Sequence, residues 1–341
     1  MLVLEAAMEM TKKLHILVTG GAGFIGSHLV DELVNKGHRV VVLDNLANGS
    51  LENLNKAKKH KNFLFIKGDI CKDSDCRRAV KGAQAVYHLA CLGVRHSIHS
   101  PVENHRVNAE GTLRILEACR SHDVQKFFYI STSEIYGGTT TFPISESAVP
   151  VPFTVYGASK LAGEHYANAY HTCFGMNTTV VRLFNNYGPR AHYENDAGEI
   201  IPRTIVTVLR GRRPMLFGDG TITRDFIFVK DTAAALHRLL NNKGCPGLTM
   251  NMGSGKEISM RDVLEKILCI MGKKELSIDY LPSRPADVPR LWVNADRFYA
   301  ITGFKPSVSF DEGLRQTARY YTDLFRKGRL NKKMPLKNWE P

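Results

Sequence analysis

The sequence predicts a doubly wound α/β fold, in which helices cover both faces of a parallel sheet. Short apolar runs of strand length alternate with segments of helical periodicity through the first half of the chain. These runs are apolar throughout rather than alternating in polarity, which is typical of parallel strands buried on both faces. The segment GGAGFIG follows the first run and opens the first helical segment, as is common in this fold class.

The first strand, helix and second strand occupy residues 14–44. Residues 14–18 and 39–43 are apolar runs that predict strands. Between them, apolar residues recur at helical spacing and a glycine ends the helix: Ile25, Leu29, Leu33 and Gly37. Residues 21–26 match G-x-G-x-x-G, whose glycines let the backbone turn tightly and approach a pyrophosphate at the helix N-terminus.

Asp44 ends the second predicted strand, about twenty residues after the glycine pattern, where a carboxylate can accept hydrogen bonds from a ribose 2′-hydroxyl. The same charge would repel a 2′-phosphate. The unit therefore predicts an NAD site rather than an NADP site, and a glycine-rich turn without a ligand is the alternative.

The alternation of strands and helices continues to residue 184. We predict strands at residues 63–69, 85–90, 126–131 and 178–184, and helices at residues 75–81, 101–122 and 154–174. A polar segment then starts at Gly188 and leads into a helix that ends near residue 213. The remaining predictions are strands at 226–229 and 248–253 and helices near 259–271 and 311–326. Because residues 248–253 are expected to return to the sheet, we predict a smaller C-terminal lobe that is interleaved with the first domain.

The charge of the chain limits the classes of partner. The formal net charge is +13, and part of it lies in the basic runs at residues 56–61 and 326–337. Such runs are usually solvated surface. Without a helix-turn-helix, zinc-finger or aromatic RNA-binding pattern beside them, we expect no nucleic-acid partner. An anionic small substrate accounts better for the arginines within the chain.

Composition also indicates the cellular environment. The chain has 341 residues, of which 43% are hydrophobic, so a large core is available. No apolar run is long enough to cross a membrane. The opening MLVLEAAMEM is too short and too acidic for a signal peptide, so residues 1–12 are expected to be a disordered leader. Seven cysteines without a C-x-x-C pair favour free thiols and a cytoplasmic location.

Tyr156 and Lys160 lie four residues apart in a predicted helix, so their side chains share one face. A neighbouring ammonium group lowers the pKa of a phenol, because it favours the phenolate. Tyrosine could then act as a general base near neutral pH. A surface Tyr–Lys pair without chemistry is the alternative interpretation.

Polar residues directly follow the predicted strand at 126–131. They are Ser131, Thr132, Ser133 and Glu134. Ligands of parallel α/β sheets bind at the carboxyl ends of the strands, so these residues are expected near Tyr156. The Thr132 hydroxyl could bind the substrate oxygen that Tyr156 deprotonates. Together they predict a site that removes a proton from an alcohol while NAD accepts hydride.

Several motifs together resemble one family. They are GGAGFIGSHLV, HLA at 88–90, VNAEGT at 107–112, STSEIYG, YGASK, RLFNNYGPR at 182–190, FGDGTITRDFIFVKD and NMGSG. This set resembles the extended short-chain dehydrogenase/reductase family, and within it the NAD-dependent nucleotide-sugar epimerases and dehydratases. The similarity runs from residue 14 to about residue 320 and includes features of UDP-glucose and UDP-glucuronate 4-epimerases.

The resemblance implies a domain organisation. Residues 13–187 and about 224–255 would form an NAD-binding Rossmann domain. Residues 188–223 and 256–328 would form a lobe that binds a nucleoside-diphosphate sugar, and residues 329–341 a basic tail. A homodimer built on two long helices of each subunit is also implied.

The resemblance further implies the residues of the site. The cofactor would be bound by Gly20, Gly23, Phe24, Ile25, Gly26, Asp44, Asn45, Asp69, Ile70, Leu89, Ala90, Ser131, Tyr156 and Lys160. The substrate would be bound by Arg95, Asn185, Arg190, Phe217, Arg224 and Arg284. Guanidinium groups suit phosphate oxygens, which supports the last two arginines independently of the resemblance. The implied catalytic residues are Tyr156, Lys160, Thr132, Ser133 and Glu134.

Members of the family share a first step, in which the sugar is oxidised at C4. A 4-epimerase then returns hydride to the other face of the sugar. A 4,6-dehydratase removes the C5 proton with a carboxylate and expels water from C6, and a decarboxylase loses carbon dioxide. The overall pattern favours a 4-epimerase, whereas Glu134 favours a dehydratase or a UDP-glucuronate decarboxylase with this residue as the C5 base.

Other chemistries are weighed against this one. His88 is expected to be packed in the core and Cys91 to be a small buried residue. The histidines and acids show no metal-ligand spacing, so no metal is expected. An NAD-sensing regulator or an RNA-associated scaffold is the non-enzymatic alternative, although neither would need Tyr156 and Lys160.

Overall fold

A seven-stranded parallel sheet forms the centre of the molecule. The structure is a computed structural model that describes residues 13–195, 197–283 and 288–335, so the predicted leader at 1–12 lies outside the described residues. The strands are β1 His15–Thr19, β2 Arg39–Asp44, β3 Phe63–Lys67, β4 Ala85–His88, β5 Lys126–Thr132, β6 Thr178–Leu183, β7 Asn185–Tyr187, β8 Met215–Phe217, β9 Thr223–Phe228, β10 Thr249–Met252, β11 Glu257–Ser259, β12 Asp279–Leu281 and β13 Arg290–Leu291.

Helices pack on both faces of this sheet. The α-helices are α1 Phe24–Asn35, α2 Asp73–Val80, α3 Val94–His99, α4 Pro101–His105, α5 Gly111–Ser121, α6 Val155–Phe174, α7 Ile200–Leu209, α8 Val229–Arg238, α9 Met260–Ile270, α10 Asp296–Thr302 and α11 Phe310–Arg326. In the described part of the chain, no helix is both long and apolar enough to span a membrane.

The order of strands in the large sheet is β10-β6-β5-β4-β1-β2-β3, and every neighbouring pair is parallel. Read from β3 to β6, the first six strands follow the 3-2-1-4-5-6 order of dinucleotide-binding folds. The predicted doubly wound parallel sheet is therefore confirmed, and β10 returns to it as expected.

Burial explains why the strands are apolar throughout. Ile16 and Val18 of β1 pack into the core on one face of the sheet, whereas Leu17 between them packs into the core on the other face. Since side chains of a strand alternate between faces, a strand covered by helices on both sides needs apolar residues at every position.

Differences from the predicted elements occur where periodicity is weak. The predicted helix at 101–122 is α4 and α5 joined by a π-helical turn, Arg106–Glu110. Helices α3, α8 and α10 were not predicted, because they are short or follow a strand directly. The strand predicted at 226–229 begins earlier, at Thr223, and Val229 already starts α8.

A second group of elements lies beyond β6. Strands β7, β9, β11 and β13 form a four-stranded sheet, and β8 pairs with β12. Helices α7, α9 and α11 share a separate apolar core. Helix α8, in contrast, contributes Ala235 and Leu236 to the core beneath β1. The chain thus passes back and forth between the two groups of elements.

Candidate active site

The turn between β1 and α1 brings three backbone segments close together. Gly20 has φ +69°, and a Cβ atom there would lie 2.7 Å from the backbone nitrogen of Ala90. A Cβ atom on Gly26 would lie 2.3 Å from the carbonyl oxygen of Gly20. Only glycine, which has no Cβ atom, fits at both positions. The first helical turn of α1 can therefore pack against the loop between β1 and α1, with its N–H groups accessible.

A cavity of about 980 Å³ runs from this turn across the carboxyl ends of the strands. Every residue predicted to bind the cofactor lines it: Gly20, Gly23, Phe24, Ile25, Gly26, Asp44, Asn45, Asp69, Ile70, Leu89, Ala90, Ser131, Tyr156 and Lys160. The other predicted catalytic residues line it too, namely Thr132, Ser133 and Glu134. Residues that are far apart in the chain therefore share one cleft.

Asp44 is fixed by backbone donors at the end of β2. One carboxylate oxygen accepts from the N–H of Ala22 at 2.9 Å, and the other accepts from the N–H of Leu46 at 2.8 Å. Burial raises the pKa of Asp44, and these two hydrogen bonds oppose the rise. A carboxylate has further lone pairs, so the oriented group can still accept from ribose hydroxyls.

These features fit a dinucleotide such as NAD. The turn leaves no room for a side chain at Gly20 or Gly26, the first turn of α1 faces the cavity, and Asp44 lies at the neighbouring strand end. The arrangement is that of a pyrophosphate site beside a ribose-binding carboxylate.

Tyr156 and Thr132 meet in the cavity. Burial is the main influence on the Tyr156 phenol and raises its pKa well above the usual range. The nearby Cys91, Glu134 and Glu199 raise this pKa as well, whereas a hydrogen bond with the Thr132 side chain lowers it. Thr132 is therefore the protein group that favours loss of the phenolic proton.

Lys160 is not among the groups with the largest effects on the pKa of Tyr156, so the expectation that it lowers this pKa stays a prediction. The Lys160 ammonium donates to the carbonyl oxygen of Ile130 at 2.7 Å and lies 4.3 Å from the ring centroid of Tyr129. Burial lowers the pKa of Lys160. Helical spacing places both residues on one face, and the Lys160 ammonium donates a hydrogen bond to the backbone of β5.

Ser131 and the two residues after Thr132 differ in what they offer a ligand. The Ser131 hydroxyl donates to the carboxylate of Glu164 behind the sheet. Ser133 and Glu134 start a short 3-10 helix, Ser133–Tyr136, and the N–H of Glu134 donates to the Thr132 hydroxyl at 3.2 Å. The Glu134 carboxylate is close enough to raise the pKa of Tyr156, so it lies at the catalytic end of the cavity.

The predicted substrate residues divide into three sets. Arg95, Asn185, Phe217 and Arg224 line the cavity, and the Oδ1 atom of Asn185 is buried without a hydrogen-bond partner among the described residues. Arg190 is not among the cavity residues, because its guanidinium forms an ion pair with Asp31 of α1 at 2.6 Å. Arg284 lies outside the described residues.

Two smaller expectations concern the strand end at 88–91. His88 is fully buried, as expected, and its ring nitrogens contact the hydroxyls of Thr19 and Thr112 at 2.7 and 3.0 Å. Cys91 was expected to be a buried residue, but it is half-buried and lines the cavity beside Tyr156. Cys91 is exposed to the cavity because it lies just beyond the carboxyl end of β4.

The sequence predictions missed three ionisable cavity residues in and before α7. Glu199 precedes α7, Arg203 lies on α7, and His192 lies in the loop before it. Burial raises the pKa of Glu199 to about 7, while His192 and Arg95 oppose this rise. A carboxyl with that pKa can donate or accept a proton near neutral pH. The only sequence feature at this point was an acid before the apolar run IIP.

Comparison with known proteins identifies the family. The family model for GDP-mannose 4,6-dehydratase matches residues 17–317. The chain belongs to this family. The match covers most of the chain and confirms the resemblance found in its motifs, since the family comprises NAD-dependent nucleotide-sugar epimerases and dehydratases.

Relatives of this family member include both kinds of enzyme. A UDP-glucose 4-epimerase of Mycolicibacterium smegmatis is 35% identical over 309 residues, which cover 89% of this chain and 97% of that protein. The UDP-glucose 4-epimerase of Thermotoga maritima, solved with UDP-glucose, has a TM-score of 0.86 at 31% identity and covers 92% of this chain and 100% of its own.

A solved dehydratase is as similar. The dTDP-glucose 4,6-dehydratase DesIV of Streptomyces venezuelae, solved with NAD, also has a TM-score of 0.86, at 30% identity, and covers 91% of this chain and 97% of its own. Overall similarity therefore does not separate epimerases from dehydratases, and the distinction must come from the residues of the site.

Proposed function

We propose that the protein is an NAD-dependent nucleotide-sugar 4-epimerase that works by transient oxidation of the sugar at C4. The observation that carries this proposal is the shared cavity, in which Tyr156 and its partner Thr132 lie in the same cleft as the glycine turn and Asp44. Solved relatives with NAD and with UDP-glucose support the choice of cofactor and substrate class.

The residues of this chain divide the work along the cavity. The turn at Gly20 and the first turn of α1 would hold the pyrophosphate of NAD, and Asp44 its adenosine ribose. Lys160, fixed by Ile130, would orient the nicotinamide ribose. Asn185 and Arg224 line the other end, where an amide and a guanidinium suit hydroxyl and phosphate oxygens.

Proton transfer is the task of Tyr156. When bound, NAD supplies the acceptor and later the donor of the C4 hydride. The Tyr156 oxygen takes the proton of the C4 hydroxyl and returns it after the 4-keto sugar has turned its other face. Thr132 stabilises the deprotonated phenol through its hydrogen bond and holds the reacting oxygen in line. Because each hydrogen returns to carbon or oxygen, substrate and product have equal mass.

Product mass tests the reaction directly. The protein would be incubated with UDP-, dTDP- and GDP-linked sugars, and the products would be analysed by mass spectrometry and by chromatography that separates sugar isomers. An epimerase yields an isomer of unchanged mass. Loss of water would instead identify a dehydratase, loss of carbon dioxide a decarboxylase, and no conversion of any sugar would contradict the proposal.

A 4,6-dehydratase is the second candidate, and the position of Glu134 favours it. This carboxylate is near enough to Tyr156 to affect its pKa, so it lies beside the reacting end of a bound sugar. Glu199, which also affects Tyr156, provides a second carboxyl there. Removal of a C5 proton requires such a base, whereas C4 epimerisation does not.

Replacing Glu134 separates the two candidates. Glu134→Gln keeps the shape and polarity of the side chain but removes its basicity. An epimerase should retain its rate within about threefold, whereas loss of a general base should lower a dehydratase rate by roughly 100-fold or more. Initial rates with the best sugar of the mass assay measure this. If Glu134→Gln still formed an isomer of unchanged mass but at a strongly reduced rate, Glu134 would have more than a structural role in epimerisation.

Three further features belong to this proposal. A homodimer is supported by apolar side chains exposed on the helical surface of α3, α4 and α6, namely Ile98, Val102 and Val155. A cytoplasmic location is supported by the cysteines, each of which is a free thiol. An interleaved two-domain organisation is supported by the return of β10 to the large sheet after the excursion through β7 to β9.

A further inference from the structure

The basic C-terminal segment has a defined course beside α7. Residues 329–335, here named the C-terminal strap, follow α11, and Leu330 is buried in the core of the smaller group of elements. Arg210, which directly follows α7, donates to the carbonyl oxygens of Leu330 and Lys332 at 2.8 and 3.1 Å. The strap is therefore anchored on α7, the helix that also carries Arg203.

The strap also holds the loop that precedes α7. The Lys332 ammonium donates to the Glu194 carboxylate at 2.6 Å, and the N–H of Asn195 donates to the carbonyl oxygen of Lys333 at 3.2 Å. Glu194 in turn lies 3.5 Å from His192, which lines the cavity. Contacts therefore run from the strap through the loop to the cavity surface.

Arg203 is held by the strap on one side and faces the cavity on the other. Its Nη2 atom donates to the carbonyl oxygen of Pro335 at 2.5 Å. Its Nη1 atom is buried without a hydrogen-bond partner among the described residues, although Arg203 lines the cavity. The side chain passes so close to Gly198 that a Cβ atom there would lie 2.9 Å from the Arg203 Cδ.

We propose that Arg203 is an anion-binding residue of the nucleotide-sugar site and that the C-terminal strap positions it. This inference rests on the proposed function and adds a contact and a positioning element to it. One nitrogen of the guanidinium group is fixed by Pro335. The other is therefore presented to the ligand, and binding costs the side chain little conformational entropy.

Charge complementarity identifies the ligand group. Burial and the neighbouring charge of Arg95 lower the pKa of Arg203 to about 10, so the group remains cationic at neutral pH in surroundings that oppose its charge. An anionic oxygen placed at Nη1 would relieve both the repulsion from Arg95 and the missing hydrogen bond. In a nucleotide sugar this oxygen belongs either to the diphosphate or to a carboxylate on the sugar.

Binding of three probes tests the inference. Calorimetry would measure the affinities of wild-type protein, Arg203→Met and the control Arg212→Met for UDP, UDP-glucose and UDP-glucuronate. Arg212 is exposed beyond the end of α7 and does not line the cavity. Loss of a charge-assisted hydrogen bond should weaken binding by roughly 10- to 100-fold in Arg203→Met, and Arg212→Met should bind as wild type does.

The pattern among the probes locates the oxygen. An equal loss for all three assigns Arg203 to the diphosphate, and a loss confined to UDP-glucuronate assigns it to a sugar carboxylate. Either result supports the inference. Equal affinities of wild type and Arg203→Met for every probe that binds would overturn it while leaving the proposed function intact. Failure of the wild-type protein to bind any probe would contradict both.

The strap is tested by a chain that ends at Asn331. This truncation keeps the buried Leu330 but removes Lys332 and Pro335, so Arg203 loses its anchor. We expect weaker binding of the same probes by fivefold or more, with the NAD affinity unchanged. Lys332→Met, with Lys333→Met as its control, covers the case in which the truncated chain does not fold. Wild-type probe affinity in both the truncation and Lys332→Met would overturn the positioning role.

Discussion

At the scale of single residues, the chemistry depends on how a buried phenol loses its proton. Burial opposes ionisation of Tyr156, and three neighbouring acidic groups oppose it further. Only the hydrogen bond with Thr132 acts in the opposite direction among the protein groups that dominate this pKa. Thr132 is thus the leading group that lowers this pKa, while the Lys160 ammonium donates to the Ile130 carbonyl.

Replacing Thr132 by valine should therefore make Tyr156 harder to deprotonate. Removal of one hydrogen bond to the phenolate raises its pKa, so the rising limb of the pH profile of kcat/KM should move up by about 0.7 pH unit. Initial rates between pH 5 and 10 measure this shift. Thr172→Val is the control, because it removes an exposed hydroxyl on α6, the helix that carries Tyr156. An unmoved profile in Thr132→Val would show that another group sets the pKa of Tyr156.

At the scale of elements, the glycine turn depends on close packing between α1 and the end of β1. Gly26→Ala would bring a Cβ atom to 2.3 Å from the Gly20 carbonyl, so the turn must shift. Overpacking of this kind should lower the free energy of unfolding by about 1–3 kcal/mol. Because the displaced turn forms the pyrophosphate site, NAD affinity should fall as well.

Urea unfolding and fluorescence titration with NAD measure these two effects. Gly244→Ala is a suitable control, since it lies in an exposed loop and its Cβ atom would meet only the side-chain oxygen of Asn242, at 3.3 Å. Normal NAD affinity in Gly26→Ala would place the pyrophosphate elsewhere in the cavity.

A buried ion pair joins α6 to the strands below it. Glu164 of α6 accepts from Arg182 of β6 at 2.8 Å, and their side chains are only 2% and 9% exposed. Glu164 also accepts from Ser131 at the end of β5. These contacts fix α6, which carries Tyr156 and Lys160, against the sheet.

Breaking this pair should be costly. Arg182→Met leaves the Glu164 carboxylate buried without its cation and should lower the free energy of unfolding by about 3–5 kcal/mol. Arg182→Met combined with Glu164→Leu should recover much of that loss, because no charge then remains buried. Urea unfolding of both variants measures the effect. A double variant as unstable as Arg182→Met would show that packing, rather than charge, dominates.

At the scale of the whole molecule, buried histidines make stability depend on pH. Burial lowers the pKa of His28 to about 3, of His38 to about 4 and of His88 to about 3. The unfolded chain protonates these rings near pH 6.5, so it binds more protons than the folded state as the pH falls. Their stabilising contribution is present above pH 6.5 and is lost as the pH falls from about 6.5 to 3.

Two carboxyl groups act in the opposite direction. Burial raises the pKa of Asp225 to about 6 and of Glu199 to about 7. Below those pH values they are protonated in the folded state, and their stabilising contribution is lost as the pH rises through them. The summed displacement of the three histidine pKa values from their usual value is larger than that of the Asp225 and Glu199 pKa values. Stability should therefore fall on acidification from pH 7.5 to 5.

The contribution of His38 can be isolated. With a folded pKa of about 4, it should account for about 2 kcal/mol of the difference in unfolding free energy between pH 7.5 and 5. His38→Gln should reduce the pH dependence by that amount, and the exposed His105→Gln should leave it unchanged. Urea unfolding at the two pH values provides the measurement. An unaltered slope in His38→Gln would show that His38 is not neutral in the folded state.

The sequence by itself determined the features that depend on neighbours along the chain. Strands β1 to β6 were predicted because burial on both faces demands apolar residues at every position. The glycine turn, Asp44 and the pair Tyr156–Lys160 were found because a turn, a strand end and a helical repeat each have a short-range pattern. All of these residues line one cavity.

The tertiary structure decided which distant groups meet and what each of them contacts. Arg190 turns to Asp31 rather than to the cavity, and the Lys160 ammonium donates to the backbone of β5. Glu199 and Arg203 enter the cavity from a loop and a helix whose sequence shows only an acid before an apolar run. A side chain's partner and its pKa depend on desolvation and on charges brought close by folding, and neither is encoded within a short stretch of sequence.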